Sequence, residues 1–424
     1  MMTEVLLVCL IALIAMNVPI AFSIGLSAFI AIFTFGKVPL FLISQRMFTG
    51  VDSFTLLAIP LFMLAGSLMD KGGISRRLIN LAAAFVGHVH GGLGIIAVIA
   101  CMFFAAISGS APATVVAIGS IMIPAMISAG YDKAFSVALL AAAGTIGVVI
   151  PPSIPFVTYG ISTGVSIGKL FAAGLLPGIL MGLCLIAVCY VVSVRNGYID
   201  TSIRTVSRLQ ALREAIWCLF MPIIILGGIY GGLFTPTESA GVACFYALLI
   251  GIFVYKELTF KLIYECLHTA AVPSAMVLLI IGCATAMGWI TTAERVPHAV
   301  AASMAQFTDS RLAILLLLNV ALLFVGCLME LNAAIILLGP IILPMLLQYN
   351  IDPIHFGVVM VVNLAVGLLT PPLGINLFVA NGLCRSVDFK DIVVKVMPMI
   401  IVLFALILVL TYVPAISLFL TRFI

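Results

Sequence analysis

Long apolar runs, almost free of charge, constrain this 424-residue chain more than any other feature. A membrane-crossing helix needs about 20 consecutive, mostly apolar residues. Such runs fall at 5–33, 53–70, 134–162, 170–194, 215–234, 237–255, 270–290, 355–382 and 396–420. Two further apolar stretches, 91–129 and 311–349, are broken in the middle by small or polar residues, the pattern of a re-entrant hairpin. Overall 64% of residues are hydrophobic and 8% charged, with a mean hydropathy of +1.36. Soluble domains carry about 25% charged residues, so lipid must be the solvent for most of this surface. The pattern predicts an all-α polytopic membrane protein.

Other classes find little support. The ten cysteines are scattered through apolar runs without a CxxC pair or a Cys/His cluster, so neither a disulfide framework nor a metal centre is expected. No basic run is interleaved with aromatics, and no nucleophile–base set or phosphate-cradling glycine loop occurs, so the chain reads as no enzyme. Any transport must then draw on an ion gradient. The N-terminus has an acidic lead, Glu4, and a long apolar stretch; a cleavable signal has a basic start and a shorter apolar core. It reads as a retained first span.

The two halves of the chain repeat. Pro124, Asp132, Gly147 and Pro151-Pro152 recur as Pro344, Asp352, Gly367 and Pro371-Pro372, all at an offset of 220 residues. The expected organisation is a first repeat over 1–194, with hairpin 91–129 and broken helix 134–162. A cytoplasmic linker and connecting span over 195–236 follow, then a second repeat over 237–424 with hairpin 311–349 and broken helix 355–382. Taking the N-terminus as cytoplasmic puts thirteen Lys and Arg inside, among them Arg77, Arg204, Arg213 and Lys390, against six outside, among them Lys37, Arg46 and Arg295. Positive charge favours the cytoplasmic side. An odd number of crossings precedes the second copy, so the copies lie inverted and the C-terminus is periplasmic. Inverted repeats with broken helices mark secondary transporters.

Irregular backbone at membrane depth must face protein or a watery cavity, which focuses attention on four breaks. The first hairpin tip is Ile107–Thr114, with Ser108, Gly109, Ser110 and Pro112; the second is Met329–Ile335, where Asn332 is placed to cap the returning half-helix. The others are Gly144–Gly160 and Gly367–Phe378, each holding a double proline that frees upstream carbonyls. Those carbonyls with Ser and Thr hydroxyls suit Na⁺, and the half-helix N-termini suit an anion. A single proline kink is more often packing alone, and small residues such as Gly109 also serve close helix packing; four paired breaks favour a transport site. Glu330 has two readings, an ion- or proton-coupling carboxylate or a solvated group in a vestibule. Thr235–Glu238 reads as a structural capping box, His88 and His90 do not share a helix face, and Ser75–Val89 suits an interfacial helix.

Several blocks resemble the large subunit of tripartite ATP-independent periplasmic (TRAP) transporters. They are "DSFTLLAIPLFMLAG" (52–66), "GGLGIIAVIACMFFAAISGSAPAT" (91–114), "IPPSIPFVTYGISTGVSIGKLFAAGLLPG" (150–178), "GGLFTPTESAG" (231–241) and "GLLTPPLGINLF" (367–378). The resemblance runs nearly end to end. It implies sodium-coupled, elevator-type uptake in a bacterial inner membrane, with a small four-helix membrane subunit (Q) on a separate polypeptide and a periplasmic substrate-binding protein (P). The sodium sites it implies map onto Ser108, Ser110, Gly147, Ile150, Asn332, Gly367 and Thr370. Ser153, Thr158, Glu330 and Asn376 are the candidate substrate contacts. The implied substrate is an organic acid anion such as sialic acid, a C4-dicarboxylate or a related sugar acid. Many members have Asp where this tip reads Met329-Glu330. A binding-protein-independent anion/sodium symporter and a non-transporting membrane scaffold are the alternatives.

Overall fold

The computed structural model describes residues 2–35, 38–86, 89–198, 207–297, 308, 310–371 and 374–424. Every regular element among them is a helix, and nine are long and apolar enough to cross a membrane.

The first apolar run departs from expectation. Residues 5–33 form two helices, α1 (Met2–Ala15) and α2 (Ile20–Phe35), which pack against each other. The cause is local. Asn17 takes a left-handed conformation (φ +61), Asn17 N and Val18 N turn back to donate to Ile14 O and Leu13 O, and Pro19 has no N–H with which to continue the helix. The single retained span is therefore a helical hairpin.

Next come α3 (Phe41–Val51), α4 (Ala58–Lys71) and α5 (Ile74–Val86). α5 is the amphipathic helix expected over Ser75–Val89: it buries Leu78, Leu81 and Ala82 and keeps Arg76 in solvent. His88 lies outside the described residues, as do Lys37, Arg204 and Pro372. The first hairpin is α6 (Gly92–Ser108) and α7 (Ala111–Ser128), and the first broken helix is α8 (Lys133–Gly144) and α9 (Ile154–Thr163), followed by α10 (Ile167–Asn196). Beyond the linker run α11 (Arg208–Tyr230), α12 (Pro236–Leu249) and the 34-residue α13 (Phe260–Ala293). The second hairpin is α14 (Arg311–Leu328) and α15 (Leu331–Gln348), and the second broken helix is α16 (Pro353–Gly367) and α17 (Ile375–Leu383). α18 (Phe389–Tyr412) and the short α19 (Pro414–Leu418) complete the order.

The sequence repeat is carried by matching elements. α7 and α15 start 220 residues apart, as do α8 and α16. Asp132 and Asp352 cap α8 and α16 alike, accepting from Phe135 N and Ile354 N at 2.7 Å each. The Thr235–Glu238 capping box is also present.

α8 and α16 form the centre: all of α8 from Ala134 and all of α16 from His355 are buried. Polar groups buried there are tied to each other. Asn363 Nδ2 donates to Asn319 Oδ1 at 2.7 Å, and Asn319 Nδ2 donates to Thr411 Oγ1 at 2.9 Å, joining α16, α14 and α18. Unpaired polar groups away from water are costly, which explains why these side chains face one another.

Candidate functional site: the two hairpin tips and the helix breaks

The first tip turns at Gly109, whose φ of +61 is open to glycine without strain. Ser110 N donates to Ser108 Oγ at 3.2 Å, and Thr114 Oγ1 donates to Ser110 O at 2.8 Å. Ser108 Oγ lies 3.5 Å from Thr114 Oγ1. Gly147, in the single 3-10 turn after α8, completes the group: a side-chain carbon there would collide with Thr114 Oγ1 and Ser110 O. Ser108, Ser110 and Gly147 thus come together as expected. Thr114 joins them and was missed, although its place four residues after Ser110 sets it on the same helix face.

The tip rests on the break. Gly109 O accepts from Ile154 N at 3.4 Å, and a side chain on Gly109 would crowd Pro152 O. The Pro151-Pro152 bond is cis. The break differs from expectation in two ways. Val148 O, which the prolines would leave free, accepts from the Ser153 hydroxyl. The N-terminus of α9 is already filled, with Ile154 N on Gly109 O, Phe156 N on Ser153 Oγ and Val157 N on Ser153 O, while Pro155 has no N–H. Among its first N–H groups, those of Ile154, Phe156 and Val157 are thus already engaged. Ile150 packs against α10 at Gly178, and its N–H donates to Ile146 O at 3.1 Å.

At the second tip the cap is Glu330, not Asn332. Glu330 Oε2 accepts from Ala333 N at 2.9 Å, and Oε1 accepts from Asn332 Nδ2 at 2.8 Å. A carboxylate suits the positive end of a helix better than a neutral amide, and its longer side chain reaches Ala333 from one position outside the helix. Asn332, freed from capping, accepts at Oδ1 from Thr158 Oγ1 at 3.2 Å. Thr158, Asn332 and Glu330 therefore form one hydrogen-bonded chain between the halves.

At the second break, Thr370 N donates to Gly367 O at 2.9 Å and Thr370 Oγ1 to Val366 O at 3.1 Å. Gly367 meets Gly326 of α14 backbone to backbone, with no room for a side chain on Gly367 and little on Gly326. Asn376 is fully buried, donates from Nδ2 to Ala141 O of α8 at 3.3 Å, and leaves its Oδ1 without a partner among the described residues. No group of three or more His, Cys, Asp or Glu that could hold a metal occurs among the described residues.

Paired broken helices whose tips and breaks touch one another are a transporter's architecture. Comparison with known proteins agrees. A family model described as "Tripartite ATP-independent periplasmic transporter, DctM component" matches residues 7–416. The chain belongs to the TRAP transporter large-subunit family. The "C4-dicarboxylate TRAP transporter large permease protein DctM" of Rhodobacter capsulatus is 40% identical over 426 residues, 96% of each chain. The "Isethionate TRAP transporter permease protein DctMQ" of Oleidesulfovibrio alaskensis is 49% identical over 407 residues, 95% of this chain and 64% of that longer protein. This TRAP permease also shares its fold with the Alcanivorax borkumensis YdaH transporter, with a TM-score of 0.64 at 16% identity, covering 88% of this chain and 86% of that one. It is a multi-pass membrane protein of a transporter family.

Proposed function

We propose that this TRAP permease carries an organic acid anion inward by sodium-coupled secondary active transport, taking it from a periplasmic binding protein (P) in complex with a small four-helix membrane subunit (Q). The observation that carries the reading is the oxygen cluster of the first tip. Ser108 Oγ, Ser110 O and Thr114 Oγ1 converge beside Gly147, which contributes no side chain. Hard cations take oxygen ligands, and half-helix C-terminal ends with unwound carbonyls hold Na⁺ in this architecture. Ser108 ends α6 and Gly147 lies in the turn that ends α8. The donor set therefore fits Na⁺, with the Ile150 carbonyl as a further ligand.

Asn332 with the Gly367 and Thr370 carbonyls is the proposed second ion site. For the anion, Thr158 and Asn376 are the proposed contacts. Ser153 and Glu330, on Val148 O and Ala333 N, hold the break and the second tip in shape, and the Glu330 carboxylate would repel an anionic substrate. An organic acid is the substrate class that fits the relatives named above.

The site draws on both hairpins and both broken helices, so opening one side by local gating would strip away ligands. Carrying all four as one body across the membrane, an elevator, keeps the site intact. A disulfide from α15 to α9, which pack together, should leave uptake working, whereas one from α15 to α13 should trap a single access state. The bacterial inner membrane and inverted halves belong to the same reading. No Lys or Arg precedes Lys37, so the two-helix start leaves the charge argument unchanged, and in this reading Met2 lies on the same side of the membrane as Pro39. Proteoliposomes holding all three components should take up substrate only under an inward sodium gradient. Uptake of equal rate without sodium would contradict the reading.

A further inference from the structure

Away from the tips, a cleft of about 640 Å³ opens between α5, the first turns of α11 and residues 254–255 beyond α12. Arg77, Gln210, Arg213, Glu214, Trp217 and Tyr255 line it. None of them belongs to a hairpin or broken helix, so the cleft is separate from the transport site.

One wall is fixed. Arg77 stacks 3.7 Å from the centroid of the Tyr255 ring, pairs with Glu257 at 2.7 Å and donates to Gly73 O at 2.8 Å, while Tyr255 Oη donates to Glu214 O at 2.9 Å. The other wall is uncommitted: Arg213 has no ion pair, and the Trp217 indole no hydrogen bond, among the described residues. The position gives the cleft its meaning. α11 is a candidate span that starts with polar Arg208–Glu214 and then turns apolar. Arg213 stands at the polar end and Trp217 one turn further in, the pairing of basic and aromatic residues found at lipid headgroup level. From Trp217 an exposed apolar stripe continues through Phe220 and Ile223, a track for an acyl chain that a free phosphate would not need.

We propose that this cleft binds an anionic phospholipid, its phosphodiester on Arg213 and the Trp217 N–H and an acyl chain along Phe220 and Ile223. Basic pockets between membrane helices recognise such headgroups.

The test is fluorescence quenching of the full chain in detergent by dibrominated phosphatidylglycerol, with the difference between wild type and Trp217→Phe reporting Trp217. Saturable quenching by phosphatidylglycerol is expected, weakened about fivefold in Arg213→Gln and unchanged in the remote Lys390→Gln. Brominated phosphatidylcholine should quench more weakly, and inorganic phosphate should not displace the lipid. Equal quenching by both lipids with no effect of Arg213→Gln would overturn the proposal, as would displacement by phosphate, which would make this a free-anion site.

Discussion

Thr158 Oγ1 donates to Asn332 Oδ1 across 3.2 Å, and this hydrogen bond ties α9 of the first half to the second hairpin tip. Glu330 holds the other end of the Asn332 amide, so the amide cannot turn without losing both partners. A double-mutant cycle of Thr158→Val and Asn332→Ala should give a coupling of about 0.5–1.5 kcal/mol in unfolding stability. Strictly additive effects would mean that the pair does not interact.

Gly367 of α16 lies directly on the Gly326 backbone of α14, where an added side-chain carbon would fall 2.6 Å from it. Gly367→Ala should therefore cost about 1–3 kcal/mol through overpacking and sharply reduce uptake. Gly382→Ala, where an added carbon meets nothing within 4 Å, should be silent in both assays. Thermal stability and uptake measured side by side separate the two outcomes.

The buried Asn319–Asn363–Thr411 chain predicts an asymmetry. Asn319→Leu alone leaves one buried Asn363 N–H without its acceptor and should destabilise by about 1–3 kcal/mol. Adding Asn363→Leu removes the stranded group, so the double variant should be less impaired than the sum of the singles in a denaturation series.

The α1–α2 hairpin predicts that single thiols at Thr3 and Pro39 label from the same side with a membrane-impermeant reagent. A thiol at Lys390 should label only from the other side. Opposite labelling of Thr3 and Pro39 would restore a single first span.

The fold was legible because lipid imposes a simple rule: apolar runs of the right length are helices, and a duplicated run of prolines and glycines is a duplicated break. Thus α15 at 331–348 and α16 at 353–367 fall where the repeat of α7 and α8 places them. Asn17 escaped notice because hydropathy across 5–33 is continuous, and only a left-handed residue ahead of Pro19 divides it. At the proposed ion site, Ser108 and Ser110 were legible as hydroxyl residues interrupting an apolar helix, and Gly147 as a mark of the repeat. It was not legible at Glu330 and Asn332, because which of two neighbouring polar residues caps a helix depends on the exit angle of the chain. Thr114 was hidden because a threonine one turn into an apolar helix looks the same whether it faces a site or its own backbone.

The central claim is that the first tip holds the coupling ion. Sodium titration of uptake by the assembled transporter, comparing wild type with Ser108→Ala and Thr114→Val, tests it most directly. Loss of one ligand from a buried cage costs about 1–3 kcal/mol, so the sodium concentration for half-maximal uptake should rise roughly 10–100-fold in each variant at unchanged expression. Sodium dependence identical to wild type in both variants would contradict the account.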